Sequence, residues 1–290
     1  MAFAVHHPGS VADAVALASR LGDSARFIAG GTDLVVQINH KRCAPHHLID
    51  ITRLGELAGI EETQCGVRIG ALTTHKEIER HPSFQGALRG LVEAACVVGG
   101  HQVRNLGTIG GNIANASPAA DVVVALLALG AEVSLVGSSG TRVMKLGELL
   151  IGPGRTARRN DELLTSVQIP KLSPMAASAF VKAGRRKAME ISVVCVGACL
   201  VVDASGRCND ARIALGAVGP TVLRARGAED ALRGQRADRS AFKQAGQTAA
   251  AHCDPIGDVR ASEQYRRLLV EALVPRALAR SLSRIMEAKS

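Results

Sequence analysis

The sequence predicts an α+β fold in two domains, and three patterns along its 290 residues lead to this prediction. Residues 10–51 alternate helical and strand-like segments, the order that builds a parallel β-sheet. From residue 179, apolar runs of strand length follow one another across short turns, which is typical of an antiparallel sheet. From residue 224 to the C-terminus the pattern is helical. A chain of this length usually forms more than one domain.

A helix, a strand, a second helix and a second strand are predicted in turn near the N-terminus. Ser10 can cap the first helix and Gly22 can end it. The apolar residues between them recur at helical spacing: Val11, Ala14, Val15, Ala18 and Leu21. The elements that follow are strand 27–29, helix 33–41 and strand 46–51.

Strand and helix signals continue to residue 170. Thr74 and Glu77 have the spacing of a capping box, which predicts a short helix to about Arg80. A longer amphipathic helix is predicted from residue 84 to residue 98, ahead of two glycines, and the polar residues 101–118 are predicted as a loop. The remaining elements are strand 66–71, helix 119–129, a hairpin turning at residues 138–140, and strand 163–169, which Pro170 closes.

A shift in composition near residues 170–174 marks the predicted domain boundary. The predicted division is residues 1–172, with subdomains of about 1–55 and 56–172, and residues 173–290. Within the second domain, the sequence predicts strands 179–183, 191–202 and 211–218, a basic turn at 185–187, a further turn at 203–206, and helices near 225–233, 239–252 and 262–286.

The net charge of +9 raises the question of nucleic-acid binding. Aromatic residues make up 2% of the chain and Trp is absent, so nucleic-acid bases would find few stacking partners. A docking face for an acidic partner and an ordinary basic surface both stay open. No apolar run approaches the roughly 20 residues of a membrane-spanning helix, and residues 1–10 lack a secretory signal. The chain is therefore expected to be soluble and cytoplasmic, without a membrane span or nucleic acid.

Seven cysteines are present, an odd number without a C-x-x-C pair. This composition disfavours a disulfide framework and offers no motif for an iron–sulfur cluster. Cys195 and Cys199 share one face of a predicted strand, where buried apolar cysteines are favoured over metal ligands. We expect no metal site on this chain.

The first glycine loop lies between a predicted strand and a predicted helix, and comprises Ala29, Gly30, Gly31, Thr32, Asp33 and Leu34. Without Cβ atoms, its glycines let backbone N–H groups approach an anion, and Thr32 adds a hydroxyl donor. A tight turn that needs two glycines explains the loop equally well. Neither the G-x-G-x-x-G nor the G-x-x-x-x-G-K-[ST] fingerprint is present, so any phosphate binding here would belong to another fold.

The second glycine segment, residues 105–121, combines three glycines with hydroxyl and amide side chains. It can donate many hydrogen bonds but presents no nucleophile with a base, which favours holding a polar ligand over breaking bonds. Asp121 at its end could bond sugar hydroxyls, although for Asp121 alone an ordinary first-turn carboxylate favoured by the helix dipole is the preferred explanation.

Together the first glycine loop and the run Thr108, Ile109, Gly110, Gly111, Asn112 and Ile113, continued to Asp121, resemble the paired FAD loops of the flavoprotein subunits of molybdenum hydroxylases. That family includes the medium subunit of aerobic carbon monoxide dehydrogenase and the FAD domain of xanthine dehydrogenase. Residues 103–105, the strand at 164–170 and the stretch around Lys182 and residues 184–188 also match. The resemblance covers nearly the whole chain and is weakest in its C-terminal third.

The resemblance implies a two-lobed FAD-binding domain of the vanillyl-alcohol-oxidase and molybdopterin-dehydrogenase type, followed by a C-terminal domain of antiparallel sheet and helices. It implies that residues 29–33 and 108–112 wrap the pyrophosphate and adenosine side of FAD, with Leu34 in the same loop. Asp121 would bond ribityl or ribose hydroxyls, and Leu164 and Lys182 would lie near the flavin or adenine ends. The basic turn at residues 185–187 would lie at the flavin edge or form a solvated hairpin.

In this family, electrons pass from a molybdenum cofactor on a large subunit through [2Fe–2S] clusters on a small subunit to FAD, and then to NAD⁺, O₂ or a quinone-type carrier. The resemblance therefore implies an electron-transfer subunit in a dimer of heterotrimers. The organic substrate would be set by the large subunit. The chain lacks the Cys-rich insertion of the similar hydroxybenzoyl-CoA reductase subunits, which disfavours that relative. Aromatic side chains are scarce, and Met189-Glu190-Ile191 follows the basic turn, so any stacking partner of the flavin ring must be aliphatic or come from elsewhere.

Two other functions stay open from the sequence. A self-sufficient FAD-dependent oxidase would need acid–base groups beside the flavin, for which His75, His101 and Glu190 are the candidates. A non-enzymatic basic scaffold would bind no flavin.

Overall fold

The computed structural model describes residues 3–186 and 189–288. A small parallel sheet opens the chain, with strands β1 (Ala4–His6), β2 (Ala25–Ile28) and β3 (His47–Asp50) in the order β1-β3-β2. Helices α1 (Val11–Leu21) and α2 (Leu34–Asn39) connect these strands. The predicted helix–strand–helix–strand order and the parallel pairing are confirmed. Strand β1 was not predicted.

Local signals set the ends of α1. The Ser10 hydroxyl accepts a hydrogen bond from the backbone N–H of Asp13, as expected of an N-cap residue. Gly22 ends the helix with φ of 55°, a left-handed conformation that glycine adopts without steric penalty. The apolar stripe of the helix packs towards Ile49 of β3 in one buried cluster.

A five-stranded antiparallel sheet forms the middle of the chain, in the order β4-β5-β10-β6-β7. Its strands, with the short hairpin β8–β9 between β7 and β10, are β4 (Ile60–Thr63), β5 (Gly66–Gly70), β6 (Glu132–Gly137), β7 (Gly140–Lys145), β8 (Leu150–Gly152), β9 (Arg155–Thr156) and β10 (Leu163–Pro170). The helices of this region are α3 (His75–Arg80), α4 (Arg89–Cys96), α5 (His101–Leu106), α6 (Ile109–Ala114), α7 (Asp121–Ala128) and α8 (Leu146–Leu149). The capping box at Thr74 and Glu77 is confirmed.

Two predictions in this region are wrong. The helix expected over residues 84–98 spans only α4, because Gly86 has φ of 57° and Gln85 is extended, so the helix cannot continue through them. The loop expected over residues 101–118 contains α5 and α6. Burial of Ile109 and Ile113 on one face of α6 outweighs the low helix propensity of its two glycines.

The C-terminal region is an antiparallel sheet in the order β11-β12-β13-β14, followed by three helices, and this architecture is confirmed. Its elements are β11 (Ala176–Ala183), β12 (Val194–Val202), β13 (Cys208–Gly216), β14 (Leu223–Arg224), α9 (Arg226–Leu232), α10 (Arg239–Ala251) and α11 (Glu263–Glu287). None of the helices in the described ranges is both long and apolar enough to cross a membrane.

Strand β12 lies between two hydrophobic cores. Cys195 and Cys199 belong to the core that contains α7, whereas Val196 and Leu200 face the core that contains α11. The two cysteines therefore share a face, as predicted, and burial raises the pKa of Cys199 to about 11. The C-terminal sheet is thus joined to the helices of the middle region by apolar packing.

Candidate functional site

The first glycine loop and the second glycine segment meet in direct backbone contact. A Cβ atom added to Gly30 would lie 1.7 Å from the carbonyl oxygen of Leu106, far inside van der Waals distance. Gly31, the next residue, has φ of 69°. Glycine is therefore required at residue 30 by the approach of another backbone, and is favoured at residue 31 by backbone conformation.

A cleft of about 550 Å³ opens where these two segments meet. This volume lies within the roughly 300–1,000 Å³ typical of small-molecule sites. Ten of the residues that the sequence predicted for a cofactor line it: Ala29, Gly30, Gly31, Thr32, Asp33, Leu34, Thr108, Gly110, Gly111 and Leu164. Segments 70 and more residues apart in the sequence thus form one concave surface.

The first glycine loop presents consecutive backbone donors. Among the described residues, the N–H groups of Gly30, Gly31, Thr32 and Asp33 have no hydrogen-bond acceptor. Successive N–H groups of this kind form a concave site for an anion such as phosphate. The loop therefore offers the backbone donors that phosphate binding would need.

The second glycine segment uses its N–H groups differently from the expectation. Ile109 donates to the carbonyl oxygen of Thr73 at 2.9 Å, and Gly110 donates to that of Ala71 at 2.9 Å. The N–H of Gly111 donates to the hydroxyl of Thr108, which caps α6, at 3.1 Å. The glycines here provide close packing and an open surface, because their donors are already paired within the protein.

Ile109 and Asn112 lie behind the cleft surface. The Ile109 side chain is fully buried in the core beneath α6. The side-chain Oδ1 of Asn112 is buried and has no hydrogen-bond partner among the described residues. A buried polar atom without a partner is uncommon and calls for an explanation such as a ligand or an ordered water.

Three arginines line the cleft: Arg26, Arg155 and Arg158. The guanidinium of Arg158 lies 5.8 Å from the ring centroid of Phe27, and burial lowers the pKa of Arg158. Asp33 is the carboxylate among the residues lining the cleft, and desolvation raises its pKa. The balance of charge is positive, which suits an anionic ligand. No sequence motif marks these arginines, and Arg26 lies far from Arg155 and Arg158 along the chain.

Asp121 and Lys182 do not line the cleft. They pair with each other at 2.7 Å, and Lys182 Nζ also donates to the carbonyl oxygens of Val97 and Glu190. The Ser192 hydroxyl donates to the other oxygen of Asp121. Burial raises the pKa of Asp121, and the neighbouring Lys182 acts in the opposite direction. The pair links α7 and β11 to the segment that precedes β12.

The basic turn is held by a single carboxylate. The backbone N–H groups of Arg185 and Arg186 both donate to the side chain of Glu190. Lys187 and Ala188 lie outside the described residues. Met189 has φ of 53° and is 58% exposed, and its sulfur approaches Gly100 so closely that a Cβ there would lie 2.6 Å from it. The turn therefore rests on the glycine pair that precedes α5.

The residues of the cleft fit FAD. Consecutive free N–H groups and three cations suit a pyrophosphate, and Leu163 and Leu164 give the cleft an apolar wall. In the described ranges, no group of three or more His, Cys, Asp or Glu side chains is placed to hold a metal ion.

Comparison with known proteins defines the class of this chain. Residues 1–172 match the family model of the FAD binding domain in molybdopterin dehydrogenase, and residues 179–281 match that of the CO dehydrogenase flavoprotein C-terminal domain. The chain belongs to this family of FAD-binding oxidoreductase subunits. The family resemblance, the FAD-binding domain and the α+β fold inferred from the sequence are thereby confirmed.

Two relatives match most of the chain. It is 34% identical to the carbon monoxide dehydrogenase medium chain of Hydrogenophaga pseudoflava over 277 residues, which are 95% of this chain and 96% of the relative. It is 43% identical to the nicotinate dehydrogenase FAD-subunit of Eubacterium barkeri over 211 residues, which are 72% of this chain and 71% of the relative.

Two solved structures have the same fold. Carbon monoxide dehydrogenase from Hydrogenophaga pseudoflava, in a form that lacks the Mo-pyranopterin moiety of the molybdenum cofactor, aligns with a TM-score of 0.94 at 34% identity over 98% of each chain. Quinoline 2-oxidoreductase from Pseudomonas putida 86 aligns with a TM-score of 0.91 at 29% identity over 99% of each chain.

Proposed function

We propose that this chain is the FAD-carrying electron-transfer subunit of a multi-subunit molybdenum hydroxylase. The observation that carries the proposal is the cleft between the two glycine segments, with its unpaired backbone donors and its positive charge. Relatives with matching length are named as medium chains or FAD subunits of dehydrogenases, which supports the same role for this chain.

Within the cleft, the N–H groups of residues 30–33 hold the FAD pyrophosphate, and Arg155 and Arg158 compensate its charge. The hydroxyls of Thr32 and Thr108 bond neighbouring polar groups of the cofactor. Leu164 contributes apolar surface, while Ile109 and Asn112 support the floor. When bound, FAD supplies the redox chemistry, and the protein supplies its position and electrostatic environment.

Asp121 and Lys182 act on the cofactor through the backbone that they fix. Lys182 holds the carbonyl of Glu190, and Glu190 in turn holds the basic turn. This chain of contacts sets the position of Met189 beside Gly100, which precedes the second glycine segment in the sequence. Asp121 and Lys182 therefore help to shape the flavin side of the site.

The chain works with a large subunit that carries the molybdenum cofactor and a small subunit that carries [2Fe–2S] clusters, in a dimer of heterotrimers in the cytoplasm. Electrons reach FAD from the small subunit and leave to an external acceptor, while the organic substrate is oxidised on the large subunit. The net charge of +9 suits docking to an acidic partner. Residues 1–172 form the FAD-binding domain and residues 173–290 the second domain, a division supported by the two family matches.

A self-sufficient FAD-dependent oxidase is the alternative. It would need acid–base groups at the flavin, yet His75, His101 and Glu190 are absent from the residues lining the described cleft. Glu190 is already engaged by the backbone of the basic turn. The electron-transfer role therefore explains the site with fewer assumptions.

Purification of the chain with its partners from the native host tests the proposal. We expect flavin bands, iron–sulfur absorbance and molybdenum to arrive with two further polypeptides, and we expect the separated chain to leave the organic substrate unoxidised. A yellow chain that purifies alone and is reduced by an organic substrate would establish the oxidase instead. A colourless chain without partners would overturn both functions.

A further inference from the structure

His75 lies directly behind the place where the two glycine segments meet. It is the first residue of α3 and is 2% exposed. Its backbone N–H donates to the carbonyl oxygen of Gly107 at 3.0 Å. A Cβ added to Gly107 would lie 3.2 Å from the imidazole Cδ2 and 3.5 Å from the hydroxyl oxygen of Thr32. Gly107 therefore lies beside both the imidazole and the hydroxyl of Thr32, a residue that lines the cleft.

Apolar packing alone does not explain why a histidine occupies this buried position. Its Nδ1 is buried and has no hydrogen-bond partner among the described residues. A buried nitrogen in this state lowers stability, whereas an apolar ring of similar size would fill the same space without that loss. A histidine here indicates a role of its polar atoms towards the adjoining site.

We propose that His75 is a positioning residue of the FAD site, whose neutral imidazole fixes Gly107 and thereby the separation of Thr32 and Thr108. This inference rests on the proposed function of the cleft. Two backbone contacts join α3 to the second glycine segment: the hydrogen bond between residues 75 and 107, and the β-bridge between Thr74 and Thr108. Through these contacts, the position of the imidazole affects the position of the second glycine segment. His75 itself is not a catalytic residue, since it does not line the cleft.

The charges around the imidazole explain its neutrality. Burial and then the positive charge of Arg104 on α5 lower the pKa of His75 to about 4. Arg104 also pairs with Glu79 of α3, which pairs with Lys76, and the Cys96 thiol of α4 adjoins this network. Protonation of His75 would add a second buried cation beside Arg104, so acid should push the two glycine segments apart and release FAD.

The test measures the ratio of FAD to protein in the complex purified from the native host, and the FAD released on dialysis at about pH 7.5 and about pH 4. His75→Ala should lower FAD affinity at least about tenfold at the higher pH. His75→Gln should bind within about threefold of wild type there, since it keeps a neutral polar side chain, and should lose the acid-induced release. His81→Gln is the matched control, because the buried Nδ1 of His81 also has no hydrogen-bond partner in the described ranges, but His81 packs against Phe84.

Wild-type complex without FAD would refute the proposed function. Wild-type complex with FAD, together with unchanged affinity in His75→Ala or undiminished acid release in His75→Gln, would refute the role of His75 alone. If His75→Ala does not accumulate as folded protein, acid-induced FAD release is compared between His75→Gln and His81→Gln at the two pH values. A purely structural role of His75 would leave the acid-induced release in place in both variants.

Discussion

Gly30 and Leu106 are in backbone contact across the two glycine segments, with no space between them for a side chain. A Cβ on Gly30 would lie 1.7 Å from the Leu106 carbonyl oxygen and 2.5 Å from its carbonyl carbon. Both atoms belong to backbone, so a rotamer change cannot relieve the clash. The joint between the segments is consequently a rigid part of the cleft.

Gly30→Ala should separate the segments and lower FAD affinity at least about tenfold. The overpacking should also lower the free energy of unfolding by about 2 kcal/mol. Flavin content of the purified complex and urea denaturation of the chain measure the two effects. Gly55→Ala is the matched control, because a Cβ at Gly55 would meet no atom within 4 Å. Equal flavin content in both variants would mean that the contact does not shape the site.

Arg155→Gln should weaken FAD binding about three- to tenfold, since it removes one of three cations that line the cleft. It should also reduce the salt dependence of binding, which titrations of apoprotein with FAD at low and high salt can measure. Arg239→Gln, on α10 away from the cleft, removes the same charge elsewhere and should change neither quantity. A similar loss in both variants would point to net charge rather than to a local contact.

The first glycine loop could be predicted from the sequence because its signal is local. A strand, two glycines and a helix start follow one another within about ten residues, and each has its own sequence signal. The same holds for the capping box at Thr74 and for the turn at residues 138–140. Where residues close in the sequence determine the local conformation, the conformation predicted from the sequence agrees with the one in the structure.

The second glycine segment and the arginines of the cleft depend on contacts between distant residues. Residue 110 must be glycine because Ala71 packs so closely that a Cβ would be 2.7 Å away, and no pattern within residues 105–121 reveals that neighbour. Arg158 reaches the cleft through the fold of the middle sheet and lies near Phe27, more than 130 residues earlier. Spacing alone cannot identify such partners.

Lys182→Met should destabilise the protein by about 3 kcal/mol, because it leaves the buried Asp121 carboxylate without its cation. Asp121→Asn combined with Lys182→Met should cost less than the sum of the single changes, since the double variant leaves no unpaired charge, whereas each single change does. Urea denaturation of the four proteins in this double-mutant cycle gives the coupling energy. Additive effects would contradict a coupled pair.

Acid should destabilise the wild-type chain more than His75→Gln, and the sign follows from the direction of the pKa shift. The pKa of His75 falls from 6.5 to about 4 in the folded protein, so the unfolded chain takes up the proton first as the pH decreases. The loss begins near pH 6.5, grows as the pH falls towards 4, and amounts to about 3 kcal/mol at its limit. Free energies of unfolding should be measured for both proteins across this window. The difference between the two proteins should be constant near neutral pH and should change as the pH falls, because only the wild type loses stability through residue 75. Parallel curves throughout would mean that His75 titrates alike in both states and is not desolvated by the second glycine segment.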